Sequence, residues 1–249
     1  MKVAVALLAA VLAGLAFAGC GGGGAEPGAP SQGATLVLDF QPNAVHSGLY
    51  AAAEQGLVAG NDLALEIQEP TGTADGAKLL EAGRADFAIL DVNDFGIARR
   101  RGLDIVAVAA IVQRPLAAVI AADRGRVSSP ADLAGATVGV TGVPSDDAVL
   151  RTVLAAGGLS PADVETQTIG FQAAALLASG SVDAATAFWN AEGVELQQQG
   201  IPTKEFRVDE LGAPRYPELV LAAPGSAVGP GAPTTGSSLC GVLEGLEQG

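Results

Sequence analysis

Short apolar runs alternate with amphipathic stretches along most of this chain, and small turn residues separate them. Thr35–Asp39 is a β-rich run, and Leu63–Ile67 alternates apolar and polar positions with period two, as a strand with one solvated face does. Ala85–Leu90, Ile105–Ile111, Leu116–Ala122, Thr137–Val140, Val164–Ile169, Ala184–Phe188 and Leu219–Ala222 read as further strands. Helical spacing covers His46–Gly56, Ala74–Ala82, Asp94–Arg101, Asp146–Ala156, Gln172–Ala178 and Glu192–Gln199. Gly83, Gly102 and the Gly157-Gly158 pair stand where such helices stop. Ser129-Pro130-Ala131-Asp132 and Ser160-Pro161-Ala162-Asp163 repeat one helix start: a Ser cap, Pro in the first position, and an acid at the positive end. Strands alternating with helices predict α/β layers and mostly parallel sheets. Leu116–Ala122 and Leu219–Ala222 are the expected crossings between two lobes.

The two ends depart from this rhythm. Lys2 precedes an almost purely apolar stretch, Val3–Ala18, which is short for a membrane span of about 20 residues and has the form of a secretory signal. It runs into Ala18-Gly19-Cys20, similar to a bacterial lipobox, so Cys20 is the expected lipidation site and residues 1–19 the signal. Residues 20–33, rich in Gly, Pro and Ala, read as a flexible tether. The lobes are expected over residues 34–116 and 117–222. The return segment 223–249 is Gly- and Pro-rich to Ser238 and too short afterwards for a stable unpacked helix. The expectation is therefore that the C-terminal part of the first lobe is missing. Cys240 reads as incidental.

Composition narrows the function. Thirteen basic and 27 acidic residues give a formal net charge of −14, which excludes a nucleic-acid binder, since phosphate contacts need clustered Lys and Arg. Two Cys and one His are too few for a structural zinc site or a disulfide scaffold. No cofactor or metal is expected. Hydrophobic residues make up 49% of the chain but aromatics only 4%, so the core must be built from Val, Leu, Ile and Ala.

Four blocks carry a resemblance. Asp39-Phe40-Gln41-Pro42-Asn43-Ala44-Val45-His46-Ser47-Gly48-Leu49-Tyr50 resembles the D-W-x-P-N-x-x-H-x-G-x-Y motif of the thiamine-pyrimidine-precursor-binding proteins and of the related yeast-type hydroxymethylpyrimidine synthase. Gly142-Val143-Pro144-Ser145-Asp146-Asp147-Ala148, Phe188-Trp189-Asn190-Ala191-Glu192-Gly193 and Gly212–Val220 resemble three further family segments, in the same order. The resemblance implies a two-lobe periplasmic-binding-protein fold of type II that closes on a small molecule. It also implies an extracytoplasmic, lipid-anchored binding protein that delivers a pyrimidine precursor of thiamine to the permease and ATPase subunits of an ABC importer. A monomer without enzymatic activity is expected. The alternatives are a pyrimidine-synthase-like enzyme of the same fold and a sulfonate- or nitrate-type solute-binding protein. The synthase uses a Cys-rich iron motif, and this chain has no Cys between positions 20 and 240.

The residues themselves are compatible with that reading. Asn43 and His46 sit between a strand and a helix, where α/β proteins place ligand groups. His46 is the sole His and reads either as a ligand contact or as a helix-start residue satisfied locally. Tyr50 lies one turn further on the same face, facing ligand or core. Trp189, the sole Trp, can serve as a platform for a flat ring or as a core residue. Asn190 and Glu192 offer the donor and acceptor groups that an aminopyrimidine edge needs, although Glu192 could equally stabilise a helix dipole. Gly142, Pro144 and Ser145 form a loop of the kind that cradles anions, but Asp146 and Asp147 follow at once and favour a neutral or weakly basic ligand. Asp91–Asp94 is a further polar candidate, with Asn93 read as a helix cap. Arg99–Arg101 reads as a solvated helix end.

Overall fold

The computed structural model describes residues 32–54, 63–70, 75–228 and 242–243. The expected signal, residues 20–31 of the expected tether with Cys20, Cys240 and most of the Gly- and Pro-rich return segment lie outside the described residues, whereas Gln32 and Gly33, read as the end of the tether, open the first strand.

The described strands form two five-stranded sheets. The first contains β1 (Gln32–Val37), β2 (Leu63–Gln68), β3 (Phe87–Asp91) and β4 (Ile105–Val112), together with β10 (Leu219–Pro224), in the order β2-β1-β3-β10-β4. The second contains β5 (Ala117–Ala122), β6 (Thr137–Val140), β7 (Glu165–Thr168), β8 (Ala184–Phe188) and β9 (Thr203–Arg207), in the order β7-β6-β8-β5-β9. Helices α1 (Ser47–Glu54), α2 (Asp75–Glu81) and α3 (Val92–Arg100) belong with the first sheet; α4 (Asp146–Ala156), α5 (Ala173–Ser179) and α6 (Glu192–Gln198) belong with the second. This is the two-lobe α/β architecture expected.

The sheets are mixed rather than mostly parallel. β1 runs parallel to β2 and β3, but β10 is antiparallel to both β3 and β4. β5 is likewise antiparallel to β8 and β9 in the second sheet. The crossings impose this: the chain enters the second sheet through β5 and returns to the first through β10, and each arriving strand inserts beside a parallel core in the opposite direction. β10 begins within the span expected for the second lobe, 117–222, and ends at Pro224, yet pairs in the first sheet. β9, Thr-Lys-Glu-Phe-Arg, is absent from the sequence reading because only Phe206 of its five residues is buried. The Ser-Pro-Ala-Asp starts produce single 3₁₀ turns, Pro130–Leu133 and Pro161–Asp163, in which Asp132 and Asp163 fold back on the Ser129 and Ser160 backbone.

Alternation along the strands fills both faces of each sheet. Leu36, Phe87, Ile89, Leu219 and Leu221 pack on one face of the first sheet, joined by Leu49 and Ala52 of α1 and by Val242. Val37, Ala88, Leu90, Val220 and Ala222 pack on the other. β5, Ala-Ala-Val-Ile-Ala-Ala, is buried throughout and divides its residues between the two cores of the second sheet. With few aromatics available, small residues let the helices sit close on the strands, and the fit is unforgiving of added volume.

Candidate functional site

A cavity of about 320 Å³ lies where the carboxyl ends of β1, β3, β6 and β8 meet, within the size range of small-molecule sites. Each parallel strand ends there in a polar or aromatic group: Asp39 and Phe40 after β1, Asp91 and Asp94 at the β3–α3 junction, the Thr141–Asp146 loop after β6, and Glu192 after β8. Phe40 from the first lobe meets Phe171 from the second edge to face, with ring centroids 4.7 Å apart, and both line the cavity. Ser145 donates across the lobes to Asp94 Oδ2 at 3.2 Å.

The lining is acidic. Among the described lining residues, six carboxyl side chains (Asp39, Glu81, Asp91, Asp94, Asp146 and Glu192) stand against two cations, Lys78 and Arg101. Glu192 is 5% exposed; its Oε2 accepts the Phe188 backbone N–H at 3.0 Å. Burial pushes its carboxyl up to about 7, and the nearby Glu195 and Asp39 charges act in the same direction. Asp94 is also pushed up to about 7, by burial and by the neighbouring Asp91. Asp91 is raised well above the usual carboxylate range, first by burial and then by facing Glu218.

Asp146 behaves differently. Its carboxylate accepts from the Thr141 and Thr186 hydroxyls and from the backbone N–H groups of Gly142 and Val143, at 2.6–3.1 Å. Gly142 has φ +93°, a conformation only Gly adopts without strain, and it turns the loop so that these N–H groups converge on one point. The anion that fills this cradle is the protein's own side chain.

The residues singled out from the sequence separate into two groups. Glu192, Pro144 and Ser145 line the cavity. Gly142 shapes the loop from just outside. Asn43 caps the 3₁₀ turn Ala44–His46, its Oδ1 accepting from Val45 N and its amide donating to Gln41. His46 is fully buried, and both its ring nitrogens are engaged: Nδ1 accepts the Asn43 N–H at 3.2 Å, and Nε2 pairs with Asp39 Oδ1 at 2.8 Å. The imidazole therefore stands behind Asp39, and Asp39 carries the cavity surface. Tyr50 packs against the first core. Trp189 donates to the Pro115 carbonyl, and the guanidiniums of Arg207 and Arg114 lie 4.1 and 5.0 Å from its ring centroid, so cations rather than a ligand ring occupy it here. Asn190 lies off the cavity wall, its Oδ1 buried without a hydrogen-bond partner among the described residues. The α3 cap is Asp91, not Asn93: Asp91 Oδ1 accepts from Asn93 N and Asp94 N. Arg101, read as solvated, also reaches the cavity rim.

Asp39, Phe40 and Phe171 line the cavity although the sequence reading did not single them out as ligand groups; Asp91 and Asp94, which also line it, fall in the stretch that reading named as a further polar candidate. Asp39 and Phe40 lay within its first motif, and their position directly after a strand was the available signal. Phe171 carries none. Among the described residues no group of three or more His, Cys, Asp or Glu is placed to hold a metal ion.

A family model described as NMT1/THI5 like matches residues 43–231. A formylaminopyrimidine-binding protein from Halalkalibacterium halodurans is 34% identical over 216 residues, covering 86% of this chain and 66% of the relative. A Haemophilus influenzae protein named for thiamine biosynthesis is 33% identical over 193 residues, covering 76% of this chain and 60% of the relative. The match thus spans less than two thirds of either relative's length. The fold also superposes on the alkanesulfonate-binding protein SsuA from Xanthomonas axonopodis pv. citri bound to MOPS, with a TM-score of 0.67, 20% identity, and coverage of 88% of this chain and 73% of that one.

Proposed function

We propose, from the premise that this chain belongs to the NMT1/THI5-like family, that it binds an aminopyrimidine precursor of thiamine and passes it to an importer. The observation that carries this reading is the buried Glu192 carboxyl on the wall of a cavity closed by two aromatic rings from opposite lobes.

An aminopyrimidine edge presents an amine N–H beside a ring nitrogen. A neutral carboxyl matches it with one O–H donor and one carbonyl acceptor, and a carboxylate matches the ring-protonated form equally well. Burial holds Glu192 near the point where either arrangement is accessible at neutral pH. Phe40 and Phe171 supply flat apolar surface for the ring, and their contact across the lobes supports a cleft that shuts closely. The filled Gly142 cradle argues against a sulfonate- or nitrate-type ligand, which would need those N–H groups free.

Export, attachment through Cys20, and delivery to ABC permease and ATPase subunits complete the proposal. The relative named as a formylaminopyrimidine-binding protein supports the ligand class. The test is mass spectrometry of the small molecule that co-purifies with the protein, followed by calorimetry with 4-amino-5-hydroxymethyl-2-methylpyrimidine. A pyrimidine recovered unchanged, with micromolar or tighter affinity, is expected. A chemically altered product would move the protein to the synthase-like class, and absence of binding would overturn the ligand assignment.

A further inference from the structure

Ser145 stands at the N-cap of α4, yet its side chain does not cap that helix. Its hydroxyl is spent across the cleft, donating to Asp94 Oδ2 at 3.2 Å. Asp94 lies in the first turn of α3, so the starts of two helices, one from each lobe, meet at this contact. Ser145 is 4% exposed, and Asp94 Oδ1 is buried without a hydrogen-bond partner among the described residues. Burial and the neighbouring Asp91 push the Asp94 carboxyl up, while the Ser145 hydroxyl and backbone N–H oppose them. The groups that compensate the burial of Asp94 therefore come from the opposite lobe. Separating the lobes would return the carboxyl to water and leave the Ser145 hydroxyl free to cap its own helix, the usual task of Ser in that position.

We propose that Asp94 and Ser145 form an interlobe latch that gives the cleft a closed state of its own, populated without ligand, and that Ser145 is the member on which closure depends. A pre-closed fraction of this kind lowers the conformational cost of binding. The latch stands on the two-lobe fold and not on the identity of the ligand. Its two members are unequal. Without the Ser145 hydroxyl, closure buries the Asp94 carboxyl and leaves it stranded, and an unpaired buried polar group is costly. Without the carboxyl, nothing is stranded, because the hydroxyl still has the N–H groups of its own helix to accept from.

The test is single-molecule fluorescence energy transfer on ligand-free protein. Dyes are attached at exposed positions of the two lobes, through Arg84→Cys and Glu165→Cys in a Cys20→Ser/Cys240→Ser background. Work at pH 6, below the values of about 7 to which Asp94 and Glu192 are pushed, keeps both carboxyls mostly protonated in the closed cleft. Protein with wild-type Asp94 and Ser145 is expected to exchange between closed and open states. Ser145→Ala should shorten the closed-state dwell time by about 5- to 100-fold. Asp94→Asn, which keeps an acceptor for the hydroxyl, should stay within about threefold of the parent. The double variant Ser145→Ala/Asp94→Ala should recover most of the dwell time that Ser145→Ala loses, a recovery that a Ser145 merely shaping its loop would not give. A parent protein with no closed population, or a dwell time unmoved by Ser145→Ala, overturns the latch. A double variant as short-lived as Ser145→Ala overturns it too, since the loss would then not come from a stranded carboxyl. None of these outcomes depends on a pyrimidine, so the ligand assignment stands or falls separately, by calorimetry.

Discussion

The carboxylate of Glu218 accepts the backbone N–H of Ala117 at 2.9 Å, fixing the strand that returns to the first sheet against the strand that enters the second. The same oxygen takes the Leu116 N–H, and the Glu218 backbone bonds Val112 and Val92. Glu218 is fully buried, so both crossings are tied to one residue, and the cavity residue Asp91 lies close enough to feel its charge. Glu218→Ala would strand two buried N–H groups and is expected to destabilise the protein by about 3 kcal/mol, measured by denaturant unfolding. A loss under about 1 kcal/mol would mean that the crossings hold without it.

Asp91 faces this carboxyl from the cavity side and is raised well above the usual range. A carboxyl raised in the folded state favours folding fully below its unfolded pKa, near 4, and that contribution is lost as pH rises through the higher folded value. Asp91→Asn keeps the α3 cap through Oδ1 and offers Glu218 a permanent N–H. The variant should therefore unfold with a flatter pH dependence from pH 5 upward, and at pH 8 it should be at least as stable as wild type. Chemical denaturation at several pH values checks this; parallel curves for the two proteins would contradict it.

Glu192 predicts a pH dependence of binding itself. Its complex with an aminopyrimidine holds one proton between the carboxyl and the ring, while the free carboxyl loses its proton above about 7. Affinity should therefore fall above pH 7, by up to about tenfold per unit, with proton uptake visible when calorimetry is repeated in buffers of different ionisation enthalpy. Glu192→Gln offers the same donor and acceptor without titrating. It should bind with affinity nearer wild type than Glu192→Ala, which is expected to lose about 1.5–3 kcal/mol, and its affinity should not fall above pH 7.

Part of this site was legible in the chain through the four family-like blocks, and the remainder was not. The resemblance named Glu192 and the Gly142 loop, and their place after strands agreed with it, because parallel strands put their carboxyl ends at one edge. Burial order was illegible: nothing local tells that His46 lies behind Asp39 rather than in front of it. Of the two readings of Trp189, the packing against the cores matches the core one, and nothing local could choose it, since the two arginines over its ring are 75 and 18 residues away in sequence. β9 went unseen because an edge strand with one buried residue has no periodic signal. Its antiparallel partner β5 was legible as a strand, but its direction depends on which sheet the chain enters.

Phe40 and Phe171 touch only when the lobes are together, since one follows β1 and the other precedes α5. Phe171→Ala removes half of that contact and part of the ring's apolar surface, and an aromatic pair adds about 0.5–1.5 kcal/mol beyond area burial. Affinity for the aminopyrimidine should drop by roughly tenfold or more, mostly through faster dissociation, as read by stopped-flow fluorescence of Trp189. An unchanged dissociation rate would place Phe171 outside the closed complex.

Asp146 makes the sharpest prediction about what the protein refuses. A loop of converging N–H groups beside a helix start attracts anions, and here Gly142 N, Val143 N and the Thr141 and Thr186 hydroxyls all donate to the Asp146 carboxylate. A sulfonate or phosphate entering the cavity would have to displace a covalently attached anion that is 8% exposed, and would meet five further carboxyl side chains on the walls. Wild-type protein should give no calorimetric signal with taurine, sulfate or phosphate at millimolar concentration. Asp146→Ala empties the cradle without touching the donors. It should lose about 2–3 kcal/mol of stability from stranded donors and regain part of that in sulfate, with thermal unfolding shifting upward as sulfate is added. Sulfate stabilisation of equal size in wild type and Asp146→Ala would show that the cradle is not what excludes anions, and binding of taurine by wild type would return the sulfonate reading to contention.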